Sequence, residues 1–161
     1  MPEQLHYWDF PHGHTIFCDD VRQEVGGKVS FMGVYNGALY IAGQFPQTLP
    51  RLGFAITYSE PAKSEPIPVR FRVIYLSSSG ASTTLFENTV DRTTAQVQTI
   101  TADLDDPSRK ITFRVGGVMG PILLPEAGSI RARAYRNGEE IRLGVLQVDV
   151  IPPATTAQAG Q

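Results

Sequence analysis

Three segments of the chain alternate between apolar and polar residues with a period of two. Because successive side chains of a β-strand point to opposite faces, each segment is predicted to form a half-buried strand. The apolar positions are Leu52, Phe54, Ile56 and Tyr58; Val69, Phe71, Val73 and Tyr75; and Ile111, Phe113 and Val115. The nearest approach to a helical period, in residues 91–101, is rich in threonine, which loses rotamer freedom in a helix. The pattern therefore indicates an all-β chain.

Two Asn-Gly pairs provide the strongest local signals. They are Asn36-Gly37, between residues 28–35 and 38–42, and Asn137-Gly138, between residues 129–136 and 139–150. Asn-Gly readily adopts the positive φ angles of a type I′ turn, whose twist matches that of paired strands. Each pair is predicted to close a β-hairpin.

The last predicted strand, 139–150, is too long to keep one register. Ile141 and Leu143 share one face, whereas Leu146, Val148 and Val150 share the other. A β-bulge near Gly144 would bring both halves of the strand to the core.

The runs of alternating residues predict about eight to ten short strands, a number typical of a sandwich or barrel. We expect an antiparallel β-sandwich, immunoglobulin-like or C2-like in general build, with a small β-barrel as the alternative. Its expected organisation is an N-terminal arm at 1–13, one sandwich domain at 14–151 and a disordered tail at 152–161, which has no large apolar residue after Pro152 and Pro153.

Composition narrows the class of protein further. The 161 residues include 14 Lys and Arg against 16 Asp and Glu, a net charge of −2, and 42% of them are hydrophobic. The one cysteine, Cys18, excludes an internal disulfide and every zinc pattern that needs several cysteines. No apolar run is long enough to span a membrane, and residues 1–10 are too polar for a signal peptide. We expect a soluble cytoplasmic protein.

A spaced motif occupies the N-terminal third of the chain. It reads Phe17-Cys18-Asp19-Asp20-Val21-Arg22, Glu24, Gly27-Lys28-Val29-Ser30, Gly33-Val34-Tyr35, Phe45-Pro46 and Leu49-Pro50-Arg51-Leu52. This motif resembles that of a family of small uncharacterised bacterial proteins. The resemblance implies a compact bacterial β-domain. Because the family has no assigned activity, the resemblance implies no catalytic residue, binding residue or cofactor.

The charged part of this motif also has a structural interpretation. We expect the first strand to end at Phe17 and Cys18, and the loop after it to hold four charged residues before a Gly-Gly turn. The four are Asp19, Asp20, Arg22 and Glu24. Asp20 is expected to accept backbone N–H groups while Arg22 binds a carboxylate, so the loop needs no ligand.

A metal site is one alternative for the same region. His12, His14, Cys18 and Asp20 would lie on one face of an extended strand, and their side chains are of the types that zinc binds. However, His12 and Cys18 would be about 20 Å apart, too far for one ion. His12 and His14, joined by His6, would bind a metal only weakly.

Calcium is a second alternative, through Asp91, Asp103, Asp105 and Asp106. Calcium prefers clustered carboxylate oxygens, but the chain has no EF-hand loop, and residues 105–108 also form a good turn without any ligand. The expectation is therefore no bound metal and no cofactor.

Signals of catalysis are weak. Residues 77–80, Ser-Ser-Ser-Gly, lack the Gly-x-Ser-x-Gly elbow of a nucleophilic serine. Cys18 at a strand end is more typical of a small buried residue than of a thiolate paired with histidine. Residues 115–120 are glycine-rich but precede a proline rather than a helix that could bind phosphate. We do not expect an enzyme or a small-molecule substrate.

Arginine distribution is the most informative remaining feature. Five arginines occupy the outward phase of predicted strands, and if those strands share a sheet they form one face with Tyr135. The five are Arg70, Arg72, Arg114, Arg131 and Arg133. Arginine favours bidentate contacts with carboxylates and phosphates. A protein partner is one interpretation, and a solvated face neutralised by Glu and Asp is the other; the net charge of −2 argues against nucleic acid.

The leading functional hypothesis is a non-enzymatic binding or assembly module that acts through a sheet face or an edge strand, on a protein partner or a second copy of itself. The alternative is a metal-binding module or small hydrolase with its active centre in a loop. This choice rests on analogy at the level of the fold, since a fold alone does not specify a function.

Overall fold

The computed structural model describes residues 9–92 and 109–151. These residues form eleven β-strands and no α-helix. The strands are β1 His12–Gln23, β2 Val29–Val34, β3 Ala38–Ile41, β4 Gln47–Leu49, β5 Leu52–Pro61, β6 Val69–Ser77, β7 Ser82–Val90, β8 Lys110–Met119, β9 Ile122–Leu124, β10 Gly128–Arg136 and β11 Glu139–Val150. The predicted tail, 152–161, and the first eight residues of the predicted arm lie outside the described residues.

Two large sheets carry the fold. One has the order β2-β1-β5-β8 and the other the order β3-β11-β10-β6-β7, while β4 and β9 form a separate two-stranded sheet. Every pairing is antiparallel except that of β3 with β11. Neither large sheet closes on itself, so the prediction of a β-sandwich is confirmed. The two three-residue strands of the small sheet raise the strand number slightly above the predicted range.

The core lies between the two large sheets and follows the predicted alternation. All eleven apolar positions of β5, β6 and β8 that the pattern assigned to the interior are buried. Tyr58 of β5 lies edge-on to Phe71 of β6, with ring centroids 5.5 Å apart, and stacks near Phe113 of β8 at 5.9 Å. Such aromatic pairs add to the stabilisation that burial of their area already provides.

The hairpin between β10 and β11 is confirmed. Asn137 and Gly138 have φ angles of 51° and 80°, as a type I′ turn requires. The predicted bulge is also present: Ala132 pairs with Gly144 and the next residue of β10 pairs with Arg142, which leaves Leu143 as the extra residue. Leu143 is buried, so the bulge keeps both halves of β11 on the core.

The hairpin predicted at Asn36-Gly37 is wrong. Gly37 does have a positive φ of 81°, but β2 pairs with β1, and β3 joins the other sheet in parallel with β11. The turn therefore carries the chain from one sheet to the other. Long-range burial decides this pairing, because Leu39 of β3 enters the core beside Val148 of β11. The Asn-Gly pair therefore determines that the chain turns, but it does not determine which strand β3 pairs with.

The first strand is longer than predicted. β1 runs to Gln23, so Asp19, Asp20 and Arg22 lie within a strand rather than in a loop, and Glu24 follows directly. Gly26 and Gly27 then provide the positive φ angles of the turn into β2. In the part of the chain that the structure describes, no helix is long and apolar enough to cross a membrane.

Candidate functional site

The outer surface of the five-stranded sheet carries most of the predicted arginines. Arg72 pairs with Arg133 and Arg70 pairs with Tyr135 across β6 and β10, and all four alternate with buried core residues. We call this surface the cationic face. Its basic and aromatic members are Arg70, Arg72, Arg131, Arg133, Tyr135 and Arg142.

Arg142 of β11 is a member that the sequence analysis missed. It pairs with Arg133, and its neighbours Ile141 and Leu143 turn inward. The shared face of Ile141 and Leu143 was already visible in the sequence, so the outward position of Arg142 could have been inferred from it. Arg142 extends the face by one strand.

Arg114 does not join the cationic face. It lies on β8, where it pairs with Thr57 of β5 in the four-stranded sheet, and therefore occupies the other outer surface of the sandwich. Alternation along a strand tells which residues point outward but not which sheet the strand enters.

Two of the arginines are neutralised within the sheet. Nε of Arg72 lies 2.8 Å from Oε2 of Glu87 on β7, and Nε of Arg133 lies 3.2 Å from Oε1 of Glu140 on β11. In each case the carboxylate comes from a neighbouring strand. Acidic residues of the same sheet therefore neutralise Arg72 and Arg133.

Arg133 is buried as well as paired, with only 5% of its surface exposed. Its Nη1 donates to the carbonyl oxygens of Ala132 at 2.8 Å and of Gly144 at 3.3 Å. Burial lowers the pKa of its guanidinium; Glu140 opposes this change, whereas the positive charges of Arg131 and Arg142 add to it. The hydrogen bonds of Arg133 therefore stabilise the β-bulge, and its buried guanidinium offers little surface to a partner.

The other three arginines have no carboxylate partner among the residues that the structure describes. The Arg70 guanidinium lies 5.0 Å from the ring centre of Tyr135, and Nε of Arg131 donates to Oγ of Ser129 at 2.9 Å. Arg142 is exposed. These five arginines and the two glutamates that pair with them carry a formal charge of +3, in a chain whose net charge is −2.

The charged residues of the N-terminal motif form their own contacts. Oδ1 of Asp20 accepts the N–H of Val21 at 3.1 Å, while Oδ2 accepts Nε of Arg22 at 3.2 Å and lies 3.5 Å from Arg51. The expected contacts of Asp20 with backbone N–H and Arg22 are therefore present, although within a strand. Arg51, a later residue of the same motif, is an additional partner.

Asp19 and Glu24 are placed differently. The Tyr35 hydroxyl donates to the Asp19 carboxylate; burial and this hydrogen bond together raise the pKa of Tyr35. Glu24 is exposed, and its backbone N–H donates to the carbonyl of Lys28 to close the turn between β1 and β2. The Asp19 side chain therefore has a partner within the protein, whereas the contact of Glu24 is made by its backbone.

The residues considered for metal binding are spread out along β1. His12 and His14 lie four residues or more before Cys18, whose buried thiol donates to the Asp20 carbonyl at 3.3 Å. Burial raises the pKa of this thiol, so it stays protonated. Within residues 9–92 and 109–151, no three His, Cys, Asp or Glu side chains come together as a metal site. His6 and Asp103, Asp105 and Asp106 lie outside the described residues.

A buried charge that the sequence analysis missed lies at one end of the sandwich. Glu60 has no exposed surface, and it is in phase with the buried residues of β5 from Leu52 to Tyr58. The run of alternation, continued by one more step, would have placed this carboxylate inside. Its partners, Arg92 and Arg136, are cations that reach it from other parts of the chain.

Comparison of the chain with models of known protein families gives no match, and comparison with curated proteins gives none either. The resemblance to a bacterial family therefore stays a prediction.

Proposed function

We propose that this protein is a non-enzymatic binding module whose cationic face recognises an acidic surface on a protein partner. The observation that carries the proposal is the group of three arginines, Arg70, Arg131 and Arg142, that project from one sheet without a carboxylate partner among the described residues. Guanidinium groups bind carboxylates in a bidentate manner and keep their charge at all physiological pH values.

The scaffold favours binding with little loss of conformational entropy. The face is built on β6, β10 and β11, which are paired along most of their length. Arg70 is held over the Tyr135 ring, and the Tyr135 hydroxyl donates to Glu140 at 3.1 Å. Side chains that are held before binding lose less freedom on binding, and Arg and Tyr are enriched among the residues that dominate interface energies.

A protein partner fits this face better than nucleic acid. Glu87 and Glu140 stand among the arginines with nearly half of each side chain exposed, and a phosphate backbone would be repelled by both. A protein surface can provide acceptors for the arginines together with donors for these carboxylates. The chain, with a net charge of −2, also lacks the excess of basic residues that is usual in nucleic-acid-binding domains.

The test is a binding titration with fluorescent poly-L-glutamate, followed by fluorescence anisotropy at low and at physiological salt. We expect saturable binding that weakens with salt, because exposed charges are screened over about 8 Å at physiological ionic strength. Arg131→Glu and Arg142→Glu should each weaken binding about tenfold or more, which corresponds to about 1.4 kcal/mol. Arg133 is left unchanged, since its burial makes any substitution a test of folding.

Lys63→Glu is the matched control, because it changes the net charge by the same amount from an exposed position in the turn after β5. It should leave the affinity for poly-L-glutamate close to that of the unmodified protein. Equal losses in all three variants, or no binding by the unmodified protein, would overturn the proposal. Tighter binding of a DNA duplex than of poly-L-glutamate would replace the protein partner with nucleic acid.

A further inference from the structure

A cavity of about 930 Å³ lies on the outer surface of the four-stranded sheet, in the layer that does not carry the cationic face. The turn between β1 and β2 contributes Gly27 and Lys28 to its lining. We call it the hairpin groove, and the residues that define it are Ile16, Lys28, Phe31, Ala55, Arg114 and Gly116. Its volume lies within the range of about 300–1,000 Å³ that is usual for small-molecule sites.

The floor of the groove has one row of small or apolar residues beside a more polar row. Ile16, Ala55 and Gly116 form one row across β1, β5 and β8, with Thr57 and Arg114 in the next row. Ala55 alternates with buried residues of β5, so its side chain points outward. A Cβ at Gly116 would lie 2.6 Å from the Phe54 carbonyl oxygen, and this position therefore admits only glycine without a shift of the backbone.

The roof of the groove comes from the β1–β2 hairpin. Cys18 is the last residue of β1 that pairs with β5, and beyond it β1 pairs with β2 alone. Lys28, Val29 and Phe31 nevertheless border the same cavity as Thr57 of β5. The hairpin therefore reaches back over the outer surface of the sheet and covers part of the space above Ile16 and Ala55.

The charges around the groove have one sign. Lys28 of the roof and Arg114 of the floor border it, and no Asp or Glu is among the described residues that line it. Neither cation has a carboxylate partner among the described residues. Ile16, Val21 and Phe31 supply apolar contacts in the same space. An anionic group at one end and an apolar body along the floor would complement this lining.

We propose that the hairpin groove binds a small organic acid with an extended apolar body, of the fatty-acid class, whose carboxylate contacts Arg114 and Lys28. Removal of the apolar body from water favours binding, and the guanidinium gives the carboxylate a bidentate partner. This site is separate from the cationic face, and its test is independent of the proposed function.

The experiment is calorimetric titration of the full chain with dodecanoate below its critical micelle concentration. We expect saturable binding of one dodecanoate, and at least about tenfold weaker binding of dodecyltrimethylammonium, which has the same body and the opposite charge. Arg114→Gln and Lys28→Gln should each weaken the binding of dodecanoate, whereas Arg114→Lys should retain most of it. Ala55→Leu should block binding by filling the floor.

Controls separate the groove from the rest of the molecule. Lys63→Gln removes one positive charge outside the groove and should leave dodecanoate affinity unchanged, and circular dichroism melting verifies that each variant folds. If Ala55→Leu fails to fold, Lys28→Gln decides, because Lys28 is exposed in a turn. Equal binding of both detergents, insensitive to Arg114→Gln, would overturn the proposal. A dimer in light scattering that Ala55→Leu dissociates, without dodecanoate binding, would make a second copy the occupant and would also overturn it.

Discussion

Glu60 and Arg136 connect the two sheets of the sandwich through a buried ion pair. Oε2 of Glu60, on β5, accepts a hydrogen bond from Nε of Arg136, on β10, at 2.8 Å, and the carboxylate has no exposed surface. Tyr58 donates to the same oxygen at 3.1 Å, and Nη1 of Arg92 lies 3.5 Å from the other. Burial and the Glu60 charge raise the pKa of Tyr58, which keeps its hydroxyl protonated as a donor.

The same two arginines hold the loop after β5. Arg92 donates to the carbonyl oxygens of Ala62 and Ser64, and Arg136 donates to that of Glu65. One buried carboxylate therefore orients two cations, each of which also fixes backbone at the end of the sandwich. Removal of one member of a buried ion pair costs more than its formation gains, because the remaining charge is left without compensation.

Replacement of Glu60 by alanine should therefore destabilise the protein strongly. Glu60→Ala leaves Arg92 and Arg136 partly buried without their carboxylate, and we expect a loss of about 3–5 kcal/mol in the free energy of unfolding. Urea denaturation measures this difference. Glu65→Ala is the control, because its exposed side chain is absent from the cluster and should change stability by less than about 0.5 kcal/mol. A loss below about 1 kcal/mol for Glu60→Ala would show that the cluster contributes little.

The sequence predicted which face of its strand a residue occupies more reliably than it predicted which strands lie next to each other. Alternation along β5 is a local property, and it assigned the interior positions correctly up to Tyr58. Continued to Glu60, it would also have identified the buried carboxylate. The partner could not have been identified, because Arg136 lies 76 residues away and only the sheet order brings them together.

The same distinction explains the errors in the predicted surface and turns. Arg114 and Arg72 have equivalent positions in their strands, but their strands belong to different sheets. Asn36-Gly37 produces the bend that its residues favour, but burial of Leu39 decides where the next strand pairs. The hairpin groove has no local signal at all, since its roof comes from the β1–β2 hairpin and its floor from β1, β5 and β8. The order of strands in a sheet depends on long-range contacts, and local patterns in a single sequence do not reveal it.

Gly138 provides a test of the turn between β10 and β11. Its φ of 80° is disfavoured for a residue with a Cβ, although a Cβ there would meet no atom within 4 Å. Gly138→Ala should therefore cost about 1 kcal/mol through conformation alone. Gly117→Ala is the matched control, because a Cβ there also has open space and its φ lies outside the left-handed region. A larger loss in Gly117→Ala than in Gly138→Ala, measured by urea denaturation, would contradict this interpretation.

Arg133 and Arg131 should respond differently to the same substitution. Arg133→Gln removes buried hydrogen bonds to the carbonyls of Ala132 and Gly144 and an ion pair with Glu140, so we expect a loss of about 1–3 kcal/mol. Arg131→Gln alters a half-buried side chain bonded to Ser129 and should cost less than about 1 kcal/mol. Urea denaturation of both variants measures the difference. Equal losses would show that burial does not separate their roles.

Glu126 should make part of the stability pH-dependent. Its surface carboxylate accepts hydrogen bonds from the hydroxyl and N–H of Ser79, which, with further bonds from Ser77 and Ser78, lower its pKa from 4.5 to about 2. Because the folded state holds the charged form, this contribution is complete above about pH 4.5 and is lost as the pH falls towards 2. The difference in melting midpoint between the unmodified protein and Glu126→Gln should therefore shrink across this interval. Glu139→Gln, at the exposed first residue of β11, is the comparison variant and should show no such narrowing.

The charged motif of β1 provides the last prediction, which separates a structural role from a metal site. Asp20 accepts the N–H of Val21 and contacts Arg22 and Arg51, two cations that are more than half exposed. Because solvent weakens ion pairs at the surface, Asp20→Ala should cost only about 1 kcal/mol, mostly from the unpaired N–H. Glu24→Ala, nearby and exposed, should change stability by less than about 0.5 kcal/mol.

The decisive comparison for Asp20 is a set of melting curves with chelator and with calcium, magnesium or zinc at millimolar concentration. A ligand that binds only the folded state raises stability by RT ln(1 + [L]/Kd). Since Asp20 is already satisfied by two arginines and a backbone N–H, we expect the same midpoint with chelator as with each metal, in the unmodified protein and in Asp20→Ala. A rise with one metal in the unmodified protein that is lost in Asp20→Ala would identify a metal site that Asp20 helps to form. The arginine contacts would then describe only the metal-free state.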